Sequence, residues 1–131
     1  MCLKIKSQLL EAKEDITVYK LLERHILSPE KFRSFYRCIP VELEKSYESG
    51  LEVDTYYNEI DKGIHSMANL KGAIELLEWE SVYSSWSGVI VECIIPKGAH
   101  YYNGTFSNFP GCIASDTITY SNKVVYTKKN N

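Results

Sequence analysis

The residues best suited to chemistry in this chain lie in two short stretches. In Ser34-Phe35-Tyr36-Arg37 an arginine follows aromatic residues. That combination stacks on a flat ring and clamps a phosphate or carboxylate through parallel N–H bonds. The alternative is a surface arginine lying on a tyrosine ring. In Lys62-Gly63-Ile64-His65-Ser66 a histidine and a serine stand where an extended piece runs into a helix start, and backbone N–H groups at a helix start favour an anion. There His65 and Ser66 would face a ligand, or the ring would simply cap the helix or fill the sheet edge. Trp86 offers a stacking wall and Lys97 a second positive charge, with Tyr101 nearby. The expected ligand set is therefore Tyr36, Arg37, His65, Ser66, Trp86 and Lys97, and the expected occupant is a small anion of nucleotide type.

Other chemistries lack their residue patterns. No Gly-x-Ser-x-Gly accompanies the serines, so no hydrolase triad is expected. Neither Gly-x-Gly-x-x-Gly nor Gly-Lys-Ser/Thr occurs, which removes the common phosphate loops. The acidic neighbours Glu14-Asp15 and Asp54 with Glu59 sit in solvated stretches. Cys2, Cys38, Cys93 and Cys112 form no Cys-x-x-Cys and have no histidine at ligand spacing, so neither a metal nor a cofactor is expected. Cys38, Cys93 and Cys112 read as small buried apolar residues.

The elements that must position the candidate residues are mostly strands. Residues 1–15 mix charge and apolar character and form either a short helix or an extended arm. Ile16 to Leu22 is β-branched and aromatic, a first strand with Ile16, Val18, Lys20 and Leu22 on one face. Lys20 interrupts that face. Phe32 to Ile39 reads as a loop leading into a strand that Pro40 ends, and Val53 to Glu59 as an acidic, tyrosine-bearing loop. Ser66 or Asn69 caps a helix over about 69–80, whose stripe is Leu70, Ala73, Ile74 and Leu77. Val89 to Ile95 is apolar almost throughout and should lie centrally, with both faces covered. Asn103-Gly104 carries the signature of a tight turn, and Cys112 to Tyr120 and Val124 to Tyr126 read as closing strands around Ser121-Asn122. The fold expected is α+β, a largely antiparallel curved sheet with one main helix packed on it, in a single domain over 1–131 with a polar tail at 128–131.

The 131 residues, 44% hydrophobic and 24% charged, suffice for one packed core. A net charge of −2 supplies no broad basic field, so neither nucleic acid nor an anionic membrane is an expected partner. No apolar run approaches the roughly 20 residues of a membrane-spanning helix, nor do residues 1–15 resemble a signal peptide, which together predict a cytoplasmic protein. Ten tyrosines, several of them in strand-like segments, suit half-buried pleated surfaces.

The succession Asp15-Ile16-Thr17-Val18-Tyr19-Lys20, Tyr36-Arg37, Gly63-Ile64-His65-Ser66, Val91 to Gly98 and Ile113-Ala114-Ser115-Asp116 resembles a widespread group of small uncharacterised proteins encoded by phages, prophages and gut bacteria. The resemblance covers most of residues 12–120 and implies a mobile-element context and a host-cytoplasmic location. By analogy of context, it implies a non-enzymatic anti-defence protein that sequesters a nucleotide-derived signal, with a homodimer as one way to enclose it. A fainter likeness, a strand followed by Ile95-Pro96-Lys97-Gly98, is similar to part of ADP-ribosyltransferase folds. That likeness implies a nucleotide-processing enzyme using Glu92, although the Ser-Thr-Ser strand and Glu-x-Glu turn of those folds are missing. A third expectation is a protein-binding inhibitor whose contact patch is Thr55-Tyr56-Tyr57.

Overall fold

Runs of β-branched and other apolar residues within Ile16–His25 and Trp86–Ile95 make the two long strands around which everything else is arranged. In the computed structural model, which describes residues 3–107 and 109–128, these strands pair in register from Ile16↔Ile95 to His25↔Trp86. In chain order the strands are β1 (Lys4–Ile5), β2 (Leu10–Glu11), β3 (Ile16–His25), β4 (Phe32–Ser34), β5 (Pro40–Val41), β6 (Ser46–Glu48), β7 (Glu52–Asp54), β8 (Glu59–Lys62) and β9 (Ile64–Met67). Helix α1 (Leu70–Trp79) follows, and then β10 (Trp86–Ile95), β11 (His100–Phe106), β12 (Phe109–Ser115) and β13 (Thr117–Thr127). They form one antiparallel sheet in the order β6-β13-β10-β3-β9-β12-β11-β1-β8-β7, with β2 on β11 and with β4 and β5 added beside β3.

The two faces of this sheet carry separate cores. Leu21 of β3 and Ile90 of β10 point to the face covered by α1, where they meet Ala73, Leu76, Leu77, Met67 and Cys112. Val18 and Leu22 of β3 and Val89, Val91 and Cys93 of β10 point the other way, toward Ile113, Ile118 and Tyr120. Period-two alternation sends neighbours on one strand to opposite faces, so β10 is buried on both, as its apolar run predicts. Fully burying a side chain such as Ile90 or Leu77 is worth about 1.5–3 kcal/mol.

The helix begins as expected, with the Asn69 side chain accepting from the Gly72 N–H at 2.7 Å. Its C-terminal carbonyls are met by Lys128, whose Nζ donates to the Leu77 and Glu78 carbonyls at 3.2 and 3.3 Å and also to that of Glu80. The expected polar tail thus opens with a helix cap; residues 129–131 lie outside the described ones. With a single ten-residue helix among the described residues, the structure is richer in sheet than the main-helix description suggests.

Several local expectations are corrected. The N-terminal segment is an extended arm carrying β1 and β2, so of the two alternatives the helix fails. Phe32 to Ile39 is a strand leading into a turn, the reverse of the expected order, and Pro40 opens β5. The acidic loop over Val53 to Glu59 is the β7–β8 hairpin. Asn103-Gly104 lies inside β11, where Gly104 is needed for close approach: a Cβ there would overlap the Lys4 carbonyl oxygen and Leu3. Ser121-Asn122 also lies inside a strand. Between Val91↔Val124 and Cys93↔Tyr120 the pairing shifts register, and this irregularity takes up the residues that read as a turn, with Ser121 Oγ donating to the Glu92 carbonyl at 2.6 Å. Cys93 and Cys112 are buried, but Cys38 is exposed, with a φ of 55° that places it at a turn.

Candidate functional site

The site arises from a missing stretch of sheet. β3 and β9 pair only at Tyr19↔Met67, and from Leu22 onward the same edge of β3 pairs with β4 instead. Between these pairings, Lys20 and Leu21 face the β9 backbone across a gap. Into it reaches Lys20, whose Nζ donates to the His65 carbonyl at 2.6 Å, satisfying a backbone acceptor that has lost its sheet partner.

The turn after β4 borders the same gap. Ser34 ties it with its carbonyl, which accepts from the Cys38 N–H at 3.0 Å, and with its hydroxyl, which accepts from the Ile39 N–H at 3.0 Å. The left-handed Cys38 closes the turn and leaves Tyr36 and Arg37 at its tip. Tyr36 is fixed by ring contacts to Phe35 and Phe106, each with centroids 5.2 Å apart, and by its hydroxyl, which donates to Glu80 at 3.3 Å. Burial, reinforced by the Glu80 charge, raises the pKa of this phenol, so it stays a donor. Arg37 is exposed and makes no hydrogen bond or ion pair among the described residues.

The result is one cavity of about 340 Å³. Its lining includes Tyr36, Arg37, His65 and Ser66, four of the six residues expected from the sequence, together with Lys20. Phe35, Leu76 and Phe106 give it an apolar wall on the helix side, and Val41, Tyr47 and Tyr120 a second wall on the opposite core. Two acids, Glu48 and Asp61, also belong to the lining and are exposed.

Trp86 and Lys97 are not part of it. Trp86 packs beneath Arg33, whose guanidinium lies 3.8 Å from the ring centroid, and edge-on to His25 at 4.9 Å. Arg33 is in turn paired with the buried Glu23 at 2.9 Å, so the tryptophan supports an internal ion pair. Lys97 occupies an exposed turn whose N–H bonds to Asp15 at 2.9 Å. Tyr101 packs against the second core cluster.

The electrostatics differ from expectation at His65. Burial, then the charge of Lys20, pushes its pKa down to about 4, so the ring is neutral at neutral pH. The Gly63 backbone opposes the drop, and the buried Nε2 has no hydrogen-bond partner among the described residues. The helix start does not contribute either, because α1 is capped at Asn69 and supplies only Leu76 to the lining. Positive charge comes instead from Arg37 and Lys20. Desolvation lowers the Lys20 pKa to about 8, with Cys93 opposing and Arg37 adding to the drop.

Sequence reasoning noted Lys20 as an interruption of an apolar face but did not place it in the site. That interruption was the available signal, since a lysine at an inward strand position needs either a partner or a cavity. Ser66 is 5% exposed and its Oγ has no partner among the described residues. No base holds that hydroxyl as a nucleophile. Glu92, the carboxylate of the enzymatic alternative, is absent from the lining, and its nearest cation is Lys123 at 4.0 Å. Among the described residues no group of three His, Cys, Asp or Glu side chains is placed to hold a metal ion, and no helix is long and apolar enough to cross a membrane. Comparison with protein-family models, curated proteins and solved structures finds no match for this chain.

Proposed function

We propose that this chain is a non-enzymatic binding protein that holds a small anionic ligand of nucleotide type in the cavity between β3 and β9. The observation that carries the reading is the meeting of two cations without acidic partners, Lys20 and Arg37, with aromatic walls in one partly open cavity. Charge-assisted hydrogen bonds would hold the anionic group and the walls would pack a ring. A volume of about 340 Å³ is at the small end for ligand pockets and suits a mononucleotide-sized occupant. In the phage or prophage setting that the sequence resemblance suggests, binding without turnover would sequester a nucleotide-derived signal in the host cytoplasm.

The test is a thermal-shift screen against mononucleotides and small cyclic nucleotides, followed by chromatography of whatever the denatured protein releases. A true ligand at about 100 times its Kd should stabilise the fold by roughly 2.7 kcal/mol and be recovered unchanged. Recovery of an altered product, or no stabilisation by any member of the panel, rejects the proposal.

A further inference from the structure

We propose that Lys20 and Ser66 form the anion-holding floor of this cavity, taking one oxyanion group between the ammonium and the hydroxyl. The inference rests on reading the cavity as a ligand site, but it does not require the ligand to be a nucleotide.

Register places the two side chains together. With Tyr19 opposite Met67 in an antiparallel pair, the next positions along the strands are Lys20 and Ser66. Strand alternation puts both on the same face, Lys20 with Val18 and Leu22, Ser66 with Ile64. The two strands no longer pair there, so the side chains flank an opening where a closed ladder would have packed them side by side. Both line the cavity.

Each also has hydrogen-bonding capacity to spare. An ammonium has three donors, and Lys20 uses one, on the His65 carbonyl. The acids of the lining, Glu48 and Asp61, make no ion pair with it. The Ser66 hydroxyl is buried with no partner, although buried side-chain polar atoms nearly always have one. A half-buried cation without a counter-charge beside a buried hydroxyl without a partner is the arrangement that a phosphate or carboxylate oxygen completes. Arg37, on the bordering turn, can reach a second oxygen of the same group. The unpartnered Nε2 of neutral His65 offers one further hydrogen-bonding position beside it.

Inorganic phosphate and acetate serve as probes, each compared with chloride at matched ionic strength, on the wild type, Lys20→Met and Ser66→Ala. Thermal shift should show stabilisation of the wild type by at least one anion, and which anion acts tells phosphate from carboxylate chemistry. Lys20→Met should weaken that affinity about tenfold or more, and Ser66→Ala should weaken it to a smaller extent. Independently, NMR titration of the Lys20 side chain should show its midpoint rising from about 8 when the anion is bound, because the anion and the proton favour each other reciprocally. Failure of both anions to stabilise the wild type, undiminished binding by Lys20→Met, or an unmoved Lys20 midpoint overturns the inference. Phosphate binding through Lys20 without any nucleotide binding would keep this floor and reject the nucleotide reading. Nucleotide binding that survives Lys20→Met would do the reverse.

Discussion

Replacing Lys20 by methionine should make the empty protein more stable. The lysine keeps a charge in a place that disfavours it: its pKa falls from 10.5 to about 8, chiefly through desolvation. At about 1.4 kcal/mol for each tenfold change in the proton equilibrium, this corresponds to an upper bound of about 3–4 kcal/mol. Lys20 keeps some accessible surface, so about 2 kcal/mol is the realistic share. Methionine fills similar volume without the charge but forfeits the bond to the His65 carbonyl, worth about 1 kcal/mol. The net gain at neutral pH is about 1 kcal/mol, or a rise in Tm of roughly 3–5 °C for a chain of this size. A pH signature separates this cause from ordinary repacking. Between about 8 and 10.5 the folded wild type has released the Lys20 proton while the unfolded chain still holds it, so wild-type stability rises with pH in that window. The advantage of the variant should therefore shrink through the same window. Urea unfolding of both proteins at neutral pH and at about pH 10 measures it. A variant less stable at neutral pH, or a difference indifferent to pH, would refute the reasoning.

Three further outcomes follow from named contacts. His65 titrates near 4 when folded and near 6.5 when free, so stability should fall by about 2–3 kcal/mol as pH drops through that interval. His65→Gln should flatten the fall in urea melts. Gly104→Ala should cost about 3 kcal/mol or release the N-terminal arm, seen as loss of amide protection at Lys4 and Ile5, because the added methyl occupies the space of the Lys4 carbonyl. Glu23→Gln should cost about 3 kcal/mol by chemical denaturation, since it leaves the Arg33 guanidinium largely buried without its counter-charge. It should leave anion binding intact.

What the sequence disclosed and what it hid divide along physical lines. The long strands and the helix were legible because their burial is periodic: Val89 to Ile95 is apolar on both faces, and Leu70, Ala73, Ile74 and Leu77 mark one stripe. Asn103-Gly104 and Ser121-Asn122 misled because turn chemistry and sheet irregularity draw on the same residues; only the neighbouring strand shows that Gly104 makes room for β1. Four of the six expected site residues line one cavity because two local features, the aromatic-arginine turn and the strand before the helix, flank the same gap. Trp86 and Lys97 lie apart from that cavity because they are held by Arg33 and Asp15, partners distant in sequence. Lys20 was visible as an anomaly, but its role depends on a pairing that is absent, and no local pattern encodes an absence.

The contact between Lys128 and the end of α1 makes the helix dependent on chain far downstream. The Leu77 carbonyl already accepts from the Glu80 N–H at 3.2 Å, but that of Glu78 meets the ammonium only once β13 is laid beside β10, 50 residues later. A chain emerging stepwise would thus carry a frayed helix until almost all of its strands are in place, and the final turn would tighten only on a finished sheet. Completion of the helix is in this sense a report on completion of the fold, and shortening the chain by a few residues from residue 128 back should be felt first at Leu77 to Glu80.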